Sequence, residues 1–381
     1  MTRKLDFESI RPYNDSEIHE VFERLKKEQT FLKLINYLFP NAKTDEILKK
    51  LLNIKSIKQF QSEIMHTFVR EIMDTTTAGV TTSGLDDLSP DEHYLYISNH
   101  RDIVLDPAIL NILIHEHGFD TCEIAIGDNL LIFPWITDLV KLNKTFIVRR
   151  NLPGRQMLEA SNILSHYIRH TLTEREQSIW IAQREGRSKD GDDKTQISLL
   201  KMLNISGNGS VPDNFRELNI VPVSISYEYD PCDYLKAYEF QLKRDNPDHK
   251  KTQKDDLLHM SVGMRGWKGR VHFAFGAPVN GELKALESIN NKNDQFKMLA
   301  EIIDNKIHNN YRLWPGNFIA SDLLNGESRF KHKYTEKEKE DFVKYIEEHI
   351  SKVEDGDTAF LRDALLEMYA NPVKNFYKEE L

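Results

Sequence analysis

Short β-prone runs alternate with helical segments from Gly79 onward, and this alternation constrains the fold more than any other feature of the sequence. The β-prone runs are HYLYIS, CEIAIG, TFIVRR, SIWIA, NIVPVSISY and GRVHFAFG. The helical segments between the first five are PAILNILIHEHG, LLIFPWITDLVKL, GRQMLEASNILSHYIRHTL and QISLLKML. Such alternation is typical of a largely parallel sheet covered by helices. The sequence therefore predicts an α/β fold with a central mixed, mostly parallel sheet flanked by helices.

The chain on either side of this alternating region is predicted to be helical. The apolar residues of SEIHEVFERLKKEQTFLKLINYLF recur near helical spacing, and Pro40 should end that helix because proline has no amide donor. Two further helices, TDEILKKLLN and IKQFQSEIMHTFVREIM, complete a predicted N-terminal bundle at 1–78. The α/β domain is predicted at 79–315 and a helical C-terminal extension at 316–381. The lysine-rich segment KRDNPDHKKTQK is predicted to be an exposed loop.

Composition narrows the class of protein. There are 60 acidic and 51 basic residues and the net charge is -9, which argues against a nucleic-acid binder built on a basic surface. The start of the sequence lacks an apolar signal core, and no apolar run is long enough to span a bilayer. The 2 cysteines fit a reducing compartment. We expect a cytoplasmic protein whose membrane contact, if any, is peripheral and on the inner face of the membrane.

The stretch ISNHRDIVLDP places His100 just after a predicted strand, with Asp102 and Asp106 close behind it. A histidine beside a carboxylate can act as a general base, and ligands gather at the carboxyl ends of strands in such sheets. The alternative is a purely structural role, in which the histidine caps a helix and Asp106 is the N-cap or an acid of the first turn. A kinase catalytic loop is disfavoured, because the asparagine required five residues after His-Arg-Asp is replaced by Pro107.

Two later segments offer groups that could bind an anion. Arg149 and Arg150 end a predicted strand, and adjacent strand residues face opposite ways, so one is expected to reach the pocket while the other pairs elsewhere. The loop REGRSK follows the strand SIWIA and carries four further candidates, which are Glu185, Gly186, Arg187 and Lys189. Taken alone, the arginine segment favours ordinary surface salt bridges, and the loop is equally compatible with a charged surface. Pro222, inside NIVPVSISY, suggests an edge strand, a bulge or a special turn.

Taken in order, these features resemble the four sequence blocks of the glycerol-3-phosphate and lysophosphatidate acyltransferase superfamily. The blocks are NH with a following aspartate, a strand ending in arginine, EGRS and VPV. The segments IGDNLLIFPWITDLVKLNKTFIVRR and GRVHFAFGAPV extend the similarity, which is greatest to the bacterial membrane-associated glycerol-3-phosphate acyltransferases. The resemblance covers roughly residues 79–280.

The resemblance implies an O-acyltransferase of phospholipid biosynthesis, with acyl-CoA or acyl carrier protein as co-substrate and no metal or organic cofactor. His100 would take the proton from a hydroxyl of glycerol-3-phosphate, which would then attack the thioester directly. By the same resemblance, Arg149 or Arg150, Arg187 and Lys189 would hold the acceptor phosphate. Glu185 and Gly186 would shape that pocket, and Pro222 would line the acyl side.

The sequence departs from the family pattern at two points. His100 and Asp106 are separated by one residue more than usual, and Glu185 and Arg187 by one residue fewer. The Asp-Pro pair favours Asp106 as the partner of His100, and Asp102 is the alternative. Other acceptors, such as lysophosphatidate, another lysolipid or an amino-acid lipid, stay open, as does a non-catalytic lipid-binding protein. Phe133 and Trp135 suggest an interfacial membrane helix, with a place in the core as the alternative.

Overall fold

A seven-stranded sheet lies at the centre of the computed structural model, which describes residues 6–38, 43–326 and 328–378. The strands are β1 Gly79–Ser83, β2 Leu95–Ser98, β3 Glu123–Gly127, β4 Thr145–Val148, β5 Ile179–Ala182, β6 Ile220–Tyr227 and β7 Arg270–Phe275. Their order is β1-β7-β6-β2-β5-β3-β4, and every neighbouring pair is parallel except β6 and β7. The prediction of a mixed, mostly parallel sheet is confirmed.

The strand β1 was not predicted, because its sequence GVTTS sits in a stretch rich in turn residues. It lies at one edge of the sheet and pairs with β7 alone, from Gly79 opposite Arg270 to Ser83 opposite Ala274. Its side chains alternate between exposed and half-buried positions. Such a strand has little apolar signal for a sequence pattern to detect.

Helices cover both faces of the sheet. Those within the α/β region are α6 Leu105–Glu116, α7 Pro134–Leu142, α8 Gly154–Thr173, α9 Ile197–Asn204, α10 Val211–Arg216, α11 Asp233–Asp245, α12 Gln253–Arg265 and α13 Lys292–Asn309. Successive side chains of a strand face opposite ways, and β2 shows this clearly. Leu95 and Ile97 join the core formed with α8, α9 and α13, while Tyr96 joins the core formed with α6.

The N-terminal region contains α1 Ile18–Leu25, α2 Gln29–Leu38, α3 Thr44–Asn53, α4 Ile57–Phe60 and α5 His66–Thr76, with a π-helical turn at Gln61–Met65. The prediction of one continuous helix up to Pro40 is wrong. The chain turns between Leu25 and Gln29, which lets apolar residues of α1 and α2 pack into one shared core with Leu142 of α7. Pro40 itself lies outside the described residues. The proposed domain boundaries at 78/79 and 315/316 remain predictions.

The C-terminal helices are α14 Pro315–Asn325, α15 Glu336–Ile350 and α16 Thr358–Tyr377. They pack mainly on one another and on α11, through a core that includes Ala237, Ile319 and Leu365. The helical C-terminal region was therefore predicted correctly. Across the described ranges, no helix is long and apolar enough to cross a bilayer.

The lysine-rich segment is largely exposed, as the sequence predicted, but it is not a single loop. Its first residues finish α11, and its last residues begin α12. Thr252 is the N-cap residue that explains why α12 begins within this segment. Its side chain accepts a hydrogen bond from the backbone of Asp255, whose carboxylate accepts in return from the backbone of Thr252. The loop is therefore short, and α12 is brought against the carboxyl end of the sheet.

Candidate active site

The loop after β2 is fixed by the residue that precedes His100. Asn99 is fully buried, and its side chain accepts a hydrogen bond from Ile225 N (2.7 Å) and donates one to Ile225 O (2.9 Å). The loop is also joined to the chain after β5, because Ser188 N donates to the carbonyl oxygen of His100 at 3.0 Å. The start of the loop is therefore tied to β6 and to the segment that carries Arg187.

The carboxylate that contacts His100 is Asp106. The His100 Nδ1 atom lies 2.7 Å from Asp106 Oδ2, and the Asp106 side chain is fully buried at the start of α6. The same oxygen accepts hydrogen bonds from the backbone amides of Arg101 (2.5 Å) and Asp102 (3.0 Å). The intervening loop thus wraps around the carboxylate, and this accommodates the additional residue between His100 and Asp106.

Asp102 makes different contacts. Its Oδ1 accepts hydrogen bonds from Val104 N (2.9 Å) and Leu105 N (2.8 Å), so it supports the first turn of α6. Burial and the nearby charge of Asp106 raise the pKa of the Asp102 carboxyl. Gly263 of α12 packs directly against this group, since a Cβ atom built there would come 1.9 Å from Asp102 Oδ2. Asp102 therefore has a structural place in the loop and is not the partner of the histidine.

The other edge of the imidazole is available to a ligand. With Nδ1–H donating to Asp106, the neutral ring carries its lone pair on Nε2. The ring packs edge-on against Trp180, with centroids 5.4 Å apart, and Trp180 Nε1 donates to Ser98 Oγ at 3.0 Å. His100 lines a large cavity, whereas Asp106 lies behind it. This is the arrangement that a general base requires.

That cavity has a volume of about 1240 Å³ and two chemically distinct parts. The basic part lies at the carboxyl ends of β4 and β5, where the lining residues are Arg149, Arg150, Arg184, Arg187 and Lys189. The apolar part reaches the N-terminal helices, where the lining residues are Phe31, Ile35, Ile47, Leu51, Phe60, Ile64 and Phe68. His100 lies on the wall of the same cavity. A charged group in the basic part and a long apolar chain in the apolar part could therefore both lie in the cavity that His100 lines.

Both predicted arginines after β4 line the cavity, and the expected alternation between them does not apply because β4 ends at Val148. Arg150 lies over Gly127, where an added Cβ atom would be 2.5 Å from Arg150 Nε. Its Nη1 is 3.5 Å from the exposed carboxylate of Glu185. Arg149 is the more exposed of the two, and its Nη1 is 3.9 Å from Asp128 Oδ2.

The loop after β5 places its four predicted residues on the cavity wall, each in a different setting. Glu185 is exposed, and Gly186 has a φ of 72°, a backbone conformation that favours glycine. Lys189 forms an ion pair with Glu239 of α11. Arg187 is buried and its Nη2 is 2.9 Å from Nδ1 of His259.

Pro222 does not line this cavity, contrary to the prediction. It lies inside β6, which is an interior strand between β2 and β7, so the expected edge position is also wrong. Proline is tolerated because Pro222 lies where the ladder between β6 and β7 ends. Its carbonyl accepts from Gly276 N at 2.9 Å, and the first residue of β6 that pairs with β7 is Val223, opposite Phe275.

The predicted interfacial pair is divided between two environments. Phe133 precedes α7 and is exposed, whereas Trp135 packs against the apolar core of the N-terminal helices and lines the cavity. The two aromatic rings therefore do not form one exposed face, and Trp135 is partly buried against the core, which is nearer to the alternative.

Several buried charges behind the histidine loop were not predicted. Arg101 pairs with the fully buried Asp193 at 2.6 Å, and Asp193 also accepts from Tyr311 OH at 2.5 Å. Lys236 of α11 is fully buried, donates to the carbonyl of Arg101 at 3.0 Å and pairs with Asp230. None of these partners is near the loop in sequence. The one sequence feature that could have indicated these buried charges is that Arg101 directly follows His100.

Part of the chain matches a known protein family. Residues 79–226 match the family model described as Acyltransferase. This segment is less than half of the chain, and it contains the histidine loop, both arginines after β4, the loop after β5 and nearly all of β6. Helix α12 and the N-terminal helices lie outside it.

No curated protein matches the sequence. Among solved structures, the chain is similar to the 1-acyl-sn-glycerophosphate (LPA) acyltransferase PlsC from Thermotoga maritima, with 12% sequence identity and a TM-score of 0.35. That alignment covers 76% of this chain and 92% of the other.

Proposed function

We propose that the protein is a glycerolipid O-acyltransferase that moves a fatty acyl group from a thioester to a hydroxyl of glycerol-3-phosphate. The observation that carries the proposal is the His100–Asp106 pair on the wall of a cavity that has both a basic and a long apolar part. The acyltransferase match over residues 79–226 supports the reaction class.

In this proposal His100 is the general base. Nε2 takes the proton of the acceptor hydroxyl as its oxygen forms a bond to the thioester carbonyl carbon. The tetrahedral intermediate collapses, the carbon–sulfur bond breaks, and the protonated His100 returns the proton to the leaving thiolate. Asp106 fixes the tautomer of His100 and stabilises the imidazolium while it exists.

The acceptor phosphate belongs in the basic part of the cavity. Arginine side chains bind phosphate oxygens through paired N–H donors, and Arg149, Arg150 and Arg187 all line this part. Lys189 is a weaker candidate, since Glu239 already neutralises it and burial lowers its pKa. Glu185 is the ion-pair partner of Arg150.

The apolar part of the cavity suits the acyl chain. Aliphatic and aromatic side chains of the N-terminal helices and α7 line it, and burying each methylene of a fatty chain contributes about 0.8 kcal/mol. The acyl donor is an acyl-CoA or an acyl carrier protein, whose thioester must lie beside His100.

The proposal uses direct transfer with no acyl-enzyme. Both cysteines are buried, and burial raises the pKa of each thiol, that of Cys122 to about 12 and that of Cys232 to about 12. Since the thiolate is the nucleophilic form of cysteine, neither thiol is suited to take the acyl group at neutral pH.

A donor-by-acceptor screen tests the proposal. Purified protein is incubated with acyl-CoA or acyl carrier protein and with glycerol-3-phosphate, lysophosphatidate or an amino-acid lysolipid, and products are separated by mass. We expect transfer to glycerol-3-phosphate, with kcat falling about 100- to 10,000-fold in His100→Ala. Transfer only to a lysolipid would replace the acceptor and keep the reaction class. Ligand binding without turnover that depends on His100 would overturn the proposal and favour a lipid-binding protein.

A further inference from the structure

Helix α12 supplies a contact to the basic part of the cavity from outside the segment that matches the acyltransferase family. His259 lies on its inner face and is only 4% exposed. Its Nδ1 is 2.9 Å from Nη2 of Arg187, which is itself buried on the wall of the cavity. The contact joins a residue of the loop after β5 to a helix that begins 66 positions later in the chain at Gln253, so the fold creates it.

The charge state of His259 determines what this contact does. Burial, and then the positive charges of Arg187, Lys251, Lys236 and Lys189, lower the pKa of His259 to about 2. The ring is therefore neutral at physiological pH, and its Nδ1 accepts a hydrogen bond from the guanidinium. A neutral acceptor fixes the side chain and leaves its positive charge in place.

Two other basic residues of the cavity have a carboxylate partner. Lys189 is paired with Glu239, and Arg150 with Glu185. Arg187 has no carboxylate within ion-pair distance among the described residues, although Asp102 and Asp230 are close enough to interact with its charge. Its buried Nη1 finds no hydrogen-bond acceptor in the described part of the chain. A buried guanidinium with an unused donor is a site for an anion, because leaving it unpaired costs free energy.

We propose that His259 is a positioning residue that holds the Arg187 guanidinium in the cavity, with its charge unpaired, to receive the phosphate ester of the acceptor. The inference rests on the proposed function for the identity of the acceptor. It adds a role for α12 in acceptor specificity. It also explains why a histidine, whose side chain is neutral here, occupies this position, since a carboxylate would compete with the phosphate for Arg187.

Two substitutions of His259 distinguish a role in positioning Arg187 from a role in packing alone. His259→Asn keeps an acceptor near the place of Nδ1, whereas His259→Gln keeps a polar side chain but moves its acceptor further out. We expect His259→Gln to raise the KM for glycerol-3-phosphate about 10- to 100-fold, the usual range for losing a hydrogen bond to a charged group. The kcat and the KM for the acyl donor should change less than about threefold. His259→Asn should stay within about threefold of the wild type in all three constants.

A double-mutant cycle that combines His259→Gln with Arg187→Met measures the coupling between the two residues in the KM for glycerol-3-phosphate. If His259 acts through Arg187, then His259→Gln should raise the KM no further once Arg187 is gone. Thermal unfolding of each variant reports whether the fold is intact. Equal KM values for glycerol-3-phosphate in the wild type and His259→Gln would overturn the inference. Equal increases in this KM in His259→Gln and His259→Asn that add to the increase caused by Arg187→Met would also overturn it.

Failure of the proposed function is distinguished by a binding experiment that needs no turnover. Inorganic phosphate is titrated into the wild-type protein, His259→Gln and His259→Asn by calorimetry. We expect measurable binding to the wild type and to His259→Asn, and a 10- to 100-fold weaker affinity for His259→Gln, about the loss of one charged hydrogen bond. If the wild type transfers no acyl group but shows this pattern, the acyltransferase proposal fails and the anion site stands. Absence of phosphate binding to the wild type, or equal binding to all three proteins, overturns the inference.

Discussion

The imidazole of His100 is held by a carboxylate that has little freedom of its own. Asp106 accepts from His100 Nδ1 and from two backbone amides through one oxygen, and it is fully buried. Asp102 is closer to His100 in sequence but caps the first turn of α6 instead. Sequence spacing could not decide between them, because the choice depends on how the loop folds around Asp106.

The two aspartates make a matched pair of variants for the proposed reaction. Asp106→Asn removes the negative charge that orients and stabilises protonated His100, and we expect kcat to fall about 100- to 10,000-fold. Asp102→Asn keeps an oxygen that can accept from Val104 N and Leu105 N, and we expect less than a tenfold loss. Steady-state kinetics on both variants checks this. Equal losses in the two would mean that the pairing with Asp106 has no special role.

At the scale of elements, α12 shows most clearly what the sequence pattern left hidden. Its apolar residues are interrupted by charged ones, and the lysine-rich run before it predicted a solvated loop. In the structure, the face of α12 that carries His259 and Gly263 meets the histidine loop and the loop after β5. Contacts between segments so far apart in sequence leave no trace in local periodicity, and therefore only the fold reveals them.

Gly263 allows that close approach, and its substitution tests it. Replacing glycine by alanine inside a helix ordinarily stabilises the helix by about 1 kcal/mol. At Gly263 the new Cβ atom would lie 1.9 Å from Asp102 Oδ2, so α12 or the histidine loop must move. We expect Gly263→Ala to destabilise the protein by about 1 to 3 kcal/mol and to lower kcat.

The control for this variant is Gly154→Ala, at the start of α8, where an added Cβ atom meets nothing within 4 Å. Urea unfolding should show no loss of stability for the control. If both alanine variants unfold at the wild-type midpoint and have the wild-type kcat, then α12 does not hold the loop as described.

A second prediction at this scale concerns the pH dependence of stability. Asp304 of α13 accepts from Thr195 N (2.7 Å) and Thr195 Oγ1 (2.5 Å), and burial raises its pKa to about 6. The folded chain therefore keeps this proton up to about pH 6, whereas the unfolded chain loses it near pH 4. The resulting stabilisation is present at low pH and is lost as the pH rises through about 6.

Asp304→Asn should remove this dependence, because an amide oxygen can accept the same two hydrogen bonds without becoming charged. We expect the variant to be more stable than the wild type by about 1 to 2 kcal/mol at pH 8 and nearly equal to it at pH 4. Urea unfolding at both pH values measures the difference. A variant that is less stable at pH 8 would show that the buried carboxylate is needed in its charged form.

Over the whole molecule, the sequence predicted the parts that depend on local pattern. Six of the seven strands lie within predicted β-prone runs, and the carboxyl ends of β2, β4 and β5 meet at one edge, as parallel pairing requires. The site residues His100, Arg149, Arg150 and Arg187 come together there because they follow those strands. The apolar part of the cavity could not be predicted, since the helices that line it come from separate regions of the chain.

The cavity is lined by residues of both the N-terminal helices and the α/β region, and this gives the last prediction. Ile64 lies in the π-helical turn of the N-terminal region and lines the apolar part. Its replacement by tryptophan should fill part of the space proposed for the acyl chain. We expect Ile64→Trp to shift the preferred donor to shorter chains by raising the KM for long-chain donors, because each methylene left unburied costs about 0.8 kcal/mol, or roughly a fourfold change in binding. The KM for glycerol-3-phosphate should stay near the wild-type value, since the basic part is untouched.

The matched control is Ile205→Trp, at an exposed isoleucine just after α9 that does not line the cavity. A series of acyl donors of increasing length, assayed at saturating acceptor, gives the chain-length profile of each protein. The control should keep the wild-type profile. If Ile64→Trp also keeps it while remaining folded, the acyl chain does not reach the N-terminal helices. If it changes the KM for the acceptor instead, the assignment of the two parts of the cavity must be reversed.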